Sequence, residues 1–244
     1  TDATHGFNVQ IRGHSGCINP RIVNNHFERV IGTNSGYGYG IQIASVAGGV
    51  IEGNVGIQST TQGRHHVYLS ATCSDIAVAA NRFKGGVSAM ITCYSATTAG
   101  KRLAITGNVL DGLGTGGGTG GAIELIGPME SCTVVGNAIH DSDGYGVKLE
   151  GGTAGECMYN IVTGNTITAP DLGGIYVRGA EYTVIQGNSI INAGAGTAAI
   201  YLQAPGTTTA NGTLVQGNIV GGTGHVYAIS LAGENVAVFG NTFV

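Results

Sequence analysis

The densest run of potentially reactive side chains in the chain is Gly63-Arg64-His65-His66-Val67-Tyr68. An arginine can neutralise a carboxylate, a histidine can take up a proton near neutral pH, and a tyrosine hydroxyl can donate one. Cleavage of an acidic sugar polymer by β-elimination needs those three services: neutralisation of the uronate, removal of the C5 proton and protonation of the departing oxygen. If the run is a strand with Tyr68 facing outward, His66 shares that face about 6.6 Å away, with Arg64 and His65 in the preceding turn. Arg64, His65, His66 and Tyr68 are the candidate catalytic residues. The plainer reading makes His66 and Tyr68 exposed strand residues beside a turn charge. A second constellation, Glu124 and Glu150 with Lys148 between them, offers either a carboxylate pair for glycoside hydrolysis or a surface ion-pair network.

What must position these groups is a repeat. A short unit (Val or Ile, any residue, Gly or Ala, Asn, any residue, an apolar residue) recurs at Ile51-Glu52-Gly53-Asn54-Val55, Val78-Ala79-Ala80-Asn81-Arg82-Phe83 and Ile105-Thr106-Gly107-Asn108-Val109-Leu110. It continues through Asn137, Asn165, Asn188 and Asn218 to Asn241, with a slipped copy at Asn25, at spacings of about 23 to about 30 residues, within the range of solenoid repeats. Between successive asparagines lies an apolar-x-apolar strand: Val9-Gln10-Ile11, Ile41-Gln42-Ile43, Val67-Tyr68-Leu69, Ala89-Met90-Ile91, Ile123-Glu124-Leu125, Val147-Lys148-Leu149, Ile175-Tyr176-Val177, Ile200-Tyr201-Leu202 and Ile229-Ser230-Leu231. The expected fold is all-β: a right-handed parallel β-helix of about nine coils, one domain over residues 1–244. Asparagines at a sharp turn tolerate left-handed geometry and can bond amide to amide along the axis, giving a ladder, and a preceding glycine eases the turn.

Composition agrees with this reading. Forty-five glycines, 10% charged residues and no tryptophan depart from ordinary globular usage, yet an apolar fraction of 42% in short alternating runs argues against disorder. Net charge is −4 with a pI near 5.9, so there is no basic footprint for nucleic acid or an anionic membrane. No apolar run approaches the ~20 residues of a membrane helix, and the first residues show no leader pattern. The five cysteines lack metal-ligand spacing and read as small buried thiols. Cys17, Cys73 and Cys157 each precede a ladder asparagine by eight residues and are expected to share one interior column. No metal or cofactor is expected. The glycine run from Gly114 to Gly121 lacks the Lys-Ser or Lys-Thr of a phosphate loop and reads as a turn.

The Asn-laddered, Val/Ile-rich repeat resembles the pectate-lyase-like superfamily of right-handed parallel β-helices, which includes polysaccharide lyases, glycoside hydrolases, epimerases and phage tailspike depolymerases. The likeness runs over essentially the whole chain and implies a carbohydrate-active protein at an extracellular or virion surface. That family's calcium-binding aspartate cluster and Asp-Pro-His run have no counterpart here.

With coils ~4.8 Å apart, the strand centres form an outward column expected to read Gln10, Gln42, Tyr68, Met90, Glu124, Lys148, Tyr176, Tyr201, Ser230. Two residues further on, a second reads Arg12, Ala44, Ser70, Thr92, Ile126, Glu150, Arg178, Gln203, Ala232. Rings, amides and charges of both signs suit a sugar polymer. Arg12, Gln42, Glu124, Lys148, Glu150, Tyr176, Arg178 and Tyr201 are the candidate substrate-binding residues. A polysaccharide is the expected partner, cut by a lyase; a hydrolase using Glu124 and Glu150, or a non-catalytic spike or adhesin module, are the alternatives. Both ends fall inside the repeat, so a fragment is expected, its ends covered by flanking domains or by a homotrimer.

Overall fold

The computed structural model describes residues 11–30, 39–58, 64–70, 72–96, 100–112, 120–151, 156–194, 198–203 and 211–244. Every paired strand among them runs parallel to its neighbours, and none of these residues is helical. A nine-stranded front sheet comprises Ile11–Gly13, Tyr39–Ala44, His65–Ser70, Ile91–Tyr94, Gly121–Ile126, Tyr145–Glu150, Gly173–Arg178, Ala198–Gln203 and Tyr227–Leu231. A bent thirteen-stranded sheet follows it in each coil, and a second nine-stranded sheet completes the circuit. The result is a right-handed parallel β-helix.

Val and Ile dominate because β-branched side chains pack well on a pleated surface. Ile41, Val67, Ile91, Ile123, Val147, Ile175 and Ile200 lie in register and are fully buried. A second inward column, Ile43, Leu69, Cys93, Leu125, Leu149, Val177 and Leu202, runs beside it.

The asparagine ladder is unbroken from Asn25 to Asn241. Each Nδ2 donates to the next Oδ1 at 2.9 Å, and the same oxygen accepts the preceding asparagine's backbone N–H. The left-handed residue is the one before the asparagine: Gly107, Gly136, Gly164, Gly187 and Gly217 have φ of 61–64°, while Asn24 and Ala80 fill the place at 55° and 51°. Glycine carries the strained backbone and asparagine carries the hydrogen bonds.

Two of the three cysteines expected in one interior column share it, and the third does not lie inside. Cys73 and Cys157 are buried on a level with Val46, Met129 and Ala180, whereas Cys17, in the first described coil, is exposed.

The bent sheet turns where another column of residues is left-handed: Asp75, Arg102, Ser131, Tyr159, Tyr182 and Gly212, at φ between 51° and 62°.

Candidate functional site

Two expected columns slip by two residues. Thr92, not Met90, pairs with Tyr68 and Glu124, and Met90 is 1% exposed. Arg12, not Gln10, pairs with Gln42, moving Arg12 into the first column; Gln10 and the Arg12 side chain lie outside the described residues, as do residues 114–119 of the glycine run. The observed central column is therefore Arg12, Gln42, Tyr68, Thr92, Glu124, Lys148, Tyr176, Tyr201, Ser230. Tyr94 takes the place beside Ser70 and Ile126 that was expected for Thr92.

The larger correction concerns the histidines. His66 faces the interior, with 0% exposure, and His65 joins Tyr68 on the front. The register stays one to one (Tyr39 beside His65, Val67 beside Ile91), but the strand kinks here: the backbone N–H groups of His66 and Val67 both reach the Met90 carbonyl, at 3.0 and 2.9 Å, so two successive side chains face inward and the in-out alternation inverts upstream. At this level successive coils place Gly40, His66, Met90, Ala122, Gly146, Gly174 and Ala199, all buried.

His66 fits this mostly small column because Gly56, on the facing sheet between Phe27 and Phe83, leaves space for it. A Cβ on Gly56 would stand 2.5 Å from His66 Nδ1 and 3.0 Å from the Phe27 ring. The imidazole stacks on Phe83 with centroids 4.7 Å apart, and its Nε2 lies 3.1 and 3.2 Å from the carbonyls of Gly85 and Lys84. Burial holds its pKa down to about 4. Its environment is that of a packing residue out of a substrate's reach. Gly56→Ala should therefore overfill this coil and cost about 1–3 kcal/mol, read as a lowered urea midpoint; an unchanged midpoint would refute the packing.

On the front, Tyr39, His65 and Tyr68 form a cluster of rings with centroid separations of 4.8–5.5 Å. Arg64 caps it, its guanidinium 5.9 Å from the Tyr39 ring centroid and Nη1 donating to the Tyr39 hydroxyl at 3.2 Å. His65 Nδ1 lies 2.6 Å from the Ala89 carbonyl and 3.0 Å from Thr92 Oγ1. A carbonyl can only accept, so Nδ1 carries the proton and Nε2 keeps its lone pair. Thr92 Oγ1 donates onward to Glu124 Oε2 at 3.3 Å, and Glu124 Oε1 accepts the Gly121 N–H at 3.1 Å. Desolvation, with the Arg64 charge adding to it and the bond to the Ala89 carbonyl opposing it, lowers the His65 pKa to about 4, so the ring is neutral at pH 7. Burial and the neighbouring Tyr39 raise the Tyr68 pKa, and Arg64 offsets part of that rise.

Glu124 is only 8% exposed and is not the open surface residue its strand position suggested. Desolvation raises its pKa, with Lys148 opposing. Glu150 is held by Lys148 at 2.8 Å and Arg178 at 3.2 Å. Further along, Tyr145 stacks on Tyr176 at 4.6 Å, Tyr201 meets Tyr176 edge-on at 5.7 Å, and the Tyr176 hydroxyl donates to Gln203. Lys148 Nζ sits 5.9 Å from the Tyr176 ring centroid. Tyr39 and Tyr145, which the sequence reading did not single out, belong to this face; the recurring small residue just after each, Gly40 and Gly146, is the signal that marks the kink. Among the described residues no three His, Cys, Asp or Glu side chains converge as metal ligands.

Residues 115–244, more than half of the chain, match the family described as "Right handed beta helix region". The chain belongs to that family. The β-helix superposes on a double mutant of the periplasmic alginate epimerase AlgG with a TM-score of 0.64 at 15% identity, covering 92% of this chain and 50% of that one. It superposes on the Azotobacter vinelandii mannuronan C-5 epimerase AlgE6 A-module with a TM-score of 0.63 at 17% identity, over 96% and 62% of the two chains. The Streptococcus pneumoniae surface protein and adhesin PfbA gives 0.55 at 11% identity, over 90% and 70%. The chain thus spans about half of the first of these structures, and identities this low show the shared fold alone. Comparison with the curated proteins found no match.

Proposed function

We propose that this β-helix acts on an acidic, uronate-containing polysaccharide at the front-sheet cluster of Arg64, His65 and Tyr68, cleaving it by β-elimination. The observation that carries the reading is the fixed tautomer of His65, whose Nδ1–H is committed to the Ala89 carbonyl, leaving Nε2 to accept a proton beside Tyr68 and Arg64. Arg64 pairs with the uronate carboxylate, which acidifies C5–H; His65 Nε2 takes that proton; Tyr68, kept protonated by its raised pKa, gives one to the departing O4. The Thr92–Glu124 chain behind His65 steadies the imidazolium as it forms. Gln42, Glu124, Lys148, Glu150, Tyr176, Arg178 and Tyr201, with Arg12 at the other end, extend this face along the axis, and a polymer lying on it meets alternating rings and charges.

Two of the similar structures are named as epimerases of uronate polymers, and C5 epimerisation begins with the same proton abstraction. The periplasmic and surface settings in those names support an extracellular or cell-envelope location. The Glu124 and Glu150 hydrolase is less well supported, since both carboxylates are engaged within the protein.

The test is incubation with alginate, pectate, hyaluronan and heparosan in D2O. Unsaturated uronate ends, seen by ultraviolet absorbance, establish elimination. Deuterium at C5 of intact chains establishes epimerisation instead, and shortening without either establishes hydrolysis. If nothing changes but the polymer binds, the protein is a glycan-binding module. Under elimination, Tyr68→Phe should lower the rate about 10²-fold without moving the melting curve.

A further inference from the structure

The bend of the thirteen-stranded sheet carries an exposed column that the front-face reading does not use. Its backbone register is secure: the N–H groups of Arg102, Ser131, Tyr159 and Tyr182 bond to the carbonyls of Glu130, Met158, Glu181 and Asn211 in the coil above. Asp75, Arg102, Ser131, Tyr159, Tyr182 and Gly212 therefore stand one per coil in a single file.

Tyr159 and Tyr182 are 53% and 50% exposed, in a chain whose aromatic content is 6%. Their rings are parallel to within 9°, with centroids 5.2 Å apart. Both residues hold left-handed backbones, φ 57° and 51°, which bulky side chains rarely adopt. The Tyr182 ring also lies over Gly212, where a Cβ would stand 2.6 Å from it. One face of the pair is thus shut and the rings are fixed in place. The opposite face, that of Tyr159, looks over Ser131, which is small and exposed.

Beyond Ser131 the next side chain in the file is Arg102, and its guanidinium leans the other way, bonded to Asp75 through Nε at 2.6 Å and Nη2 at 2.8 Å. Tyr159 and Arg102 are two coils apart, roughly 9.5 Å by coil spacing, and Ser131 does not fill the interval. The file of stacked side chains has a slot one ring thick, walled on one side by a rigid aromatic face.

The polar surroundings decide the occupant. Arg102 is neutralised by Asp75, and Lys101 by Glu130 at 2.6 Å. Glu181 lies on the Tyr182 side and shares a hydrogen bond with Glu156. Among the described residues the site therefore has no spare cation for a uronate, and it has carboxylates able to accept hydroxyl protons. We propose that the slot above Ser131 binds a pyranose ring of a neutral glycan, its C–H face stacked on Tyr159 and its hydroxyls bonded to Ser131 and Glu130. This is a second carbohydrate site, on a different sheet from the acidic-polymer site and of opposite charge preference.

Calorimetric titration with cellohexaose, mannohexaose, xylohexaose and maltohexaose tests it. At least one of these neutral probes should bind; Tyr159→Ala should weaken that binding about fivefold or more, and Ser131→Tyr, which completes the stack, should abolish it. Tyr68→Phe, on the front sheet, should leave it unchanged. Thermal melts confirm that each variant is folded, and should Ser131→Tyr fail to fold, Ser131→Gln serves as the slot-filling change. Binding that survives a filled slot, binding lost on Tyr68→Phe, or no binding of any neutral probe overturns the proposal, and none of these outcomes bears on whether the front face cuts uronate polymers.

Discussion

Acidification from pH 7 to pH 4 should remove about 6 kcal/mol of stability through two residues, His65 and His66. In the unfolded chain both imidazoles titrate near their ordinary 6.5, while in the fold burial holds each down to about 4. Below pH 6.5 the unfolded chain therefore takes up protons that the folded chain refuses. Stability is fully present above that pH, falls as pH drops toward 4, and levels off below it. Each ring contributes about 3 kcal/mol, a large share of the 5–15 kcal/mol typical of a domain. Around His66 stand Phe83, Phe27, Gly56 and two backbone carbonyls; around His65 stand Arg64, Tyr39, Tyr68, Thr92 and, through Thr92, Glu124. The raised carboxylates Glu124, Asp143 and Glu156 act in the opposite sense, because each is protonated more readily in the folded chain, and they offset part of the loss. The clean measurement is a difference: urea melts of the parent and of His66→Phe at pH 7, 5.5 and 4. The phenylalanine keeps the stack on Phe83 and cannot protonate, so about half of the acid sensitivity should vanish. Parallel pH profiles for the two proteins would show that His66 is not buried uncharged.

What could be read from the chain divides along a physical line. The ladder was legible because each asparagine must be spaced by one coil and must follow a residue able to turn left-handed; Gly107-Asn108 or Gly164-Asn165 announces both conditions locally. The inward positions were legible for the same reason, as in Ile123-Glu124-Leu125, where the flanking apolar residues leave little choice. The slip at Met90 arose because Ala89-Met90-Ile91 and Ile91-Thr92-Cys93 both satisfy an apolar-x-apolar rule, and a cysteine counts as apolar in either. The inversion of His65 and His66 was of another kind. Strand alternation holds only while the pleat is regular, and the kink at the shared Met90 carbonyl breaks it although the coils stay in register. The small residues Gly40, Ala122, Gly146, Gly174 and Ala199 mark that break along the chain, but His66 conceals it in its own coil. It is admitted there only because Gly56, ten residues earlier and on another sheet, gives up its side-chain volume. Compensation of that sort belongs to the packed structure.

Asn108→Ala should cost about 3–5 kcal/mol, the other large effect expected of this chain. Asn108 is fully buried in the middle of the ladder. Its Oδ1 accepts from Asn81 N at 3.0 Å and Asn81 Nδ2 at 2.9 Å, and its Nδ2 donates to Val78 O and Asn137 Oδ1, both at 2.9 Å. Removing the amide orphans the buried Asn81 N–H and withdraws a donor from Val78 O. Each unpaired buried group costs about 1–3 kcal/mol because no water replaces the partner. Asn241, at the far end, accepts from Asn218 alone and is only half-buried. Asn241→Ala should cost about 1 kcal/mol, since water can reach what it leaves behind. Asn108→Asp separates geometry from charge. It keeps an acceptor for Asn81 but loses both donors and buries a carboxylate facing Asn137 Oδ1, so it should be worse than alanine at pH 7 and recover in part where the carboxyl protonates. Denaturant melts of the three variants decide the matter. Equal losses for Asn108→Ala and Asn241→Ala would mean that the ladder bonds add nothing beyond turn propensity, and that the coils are held together by the apolar columns alone.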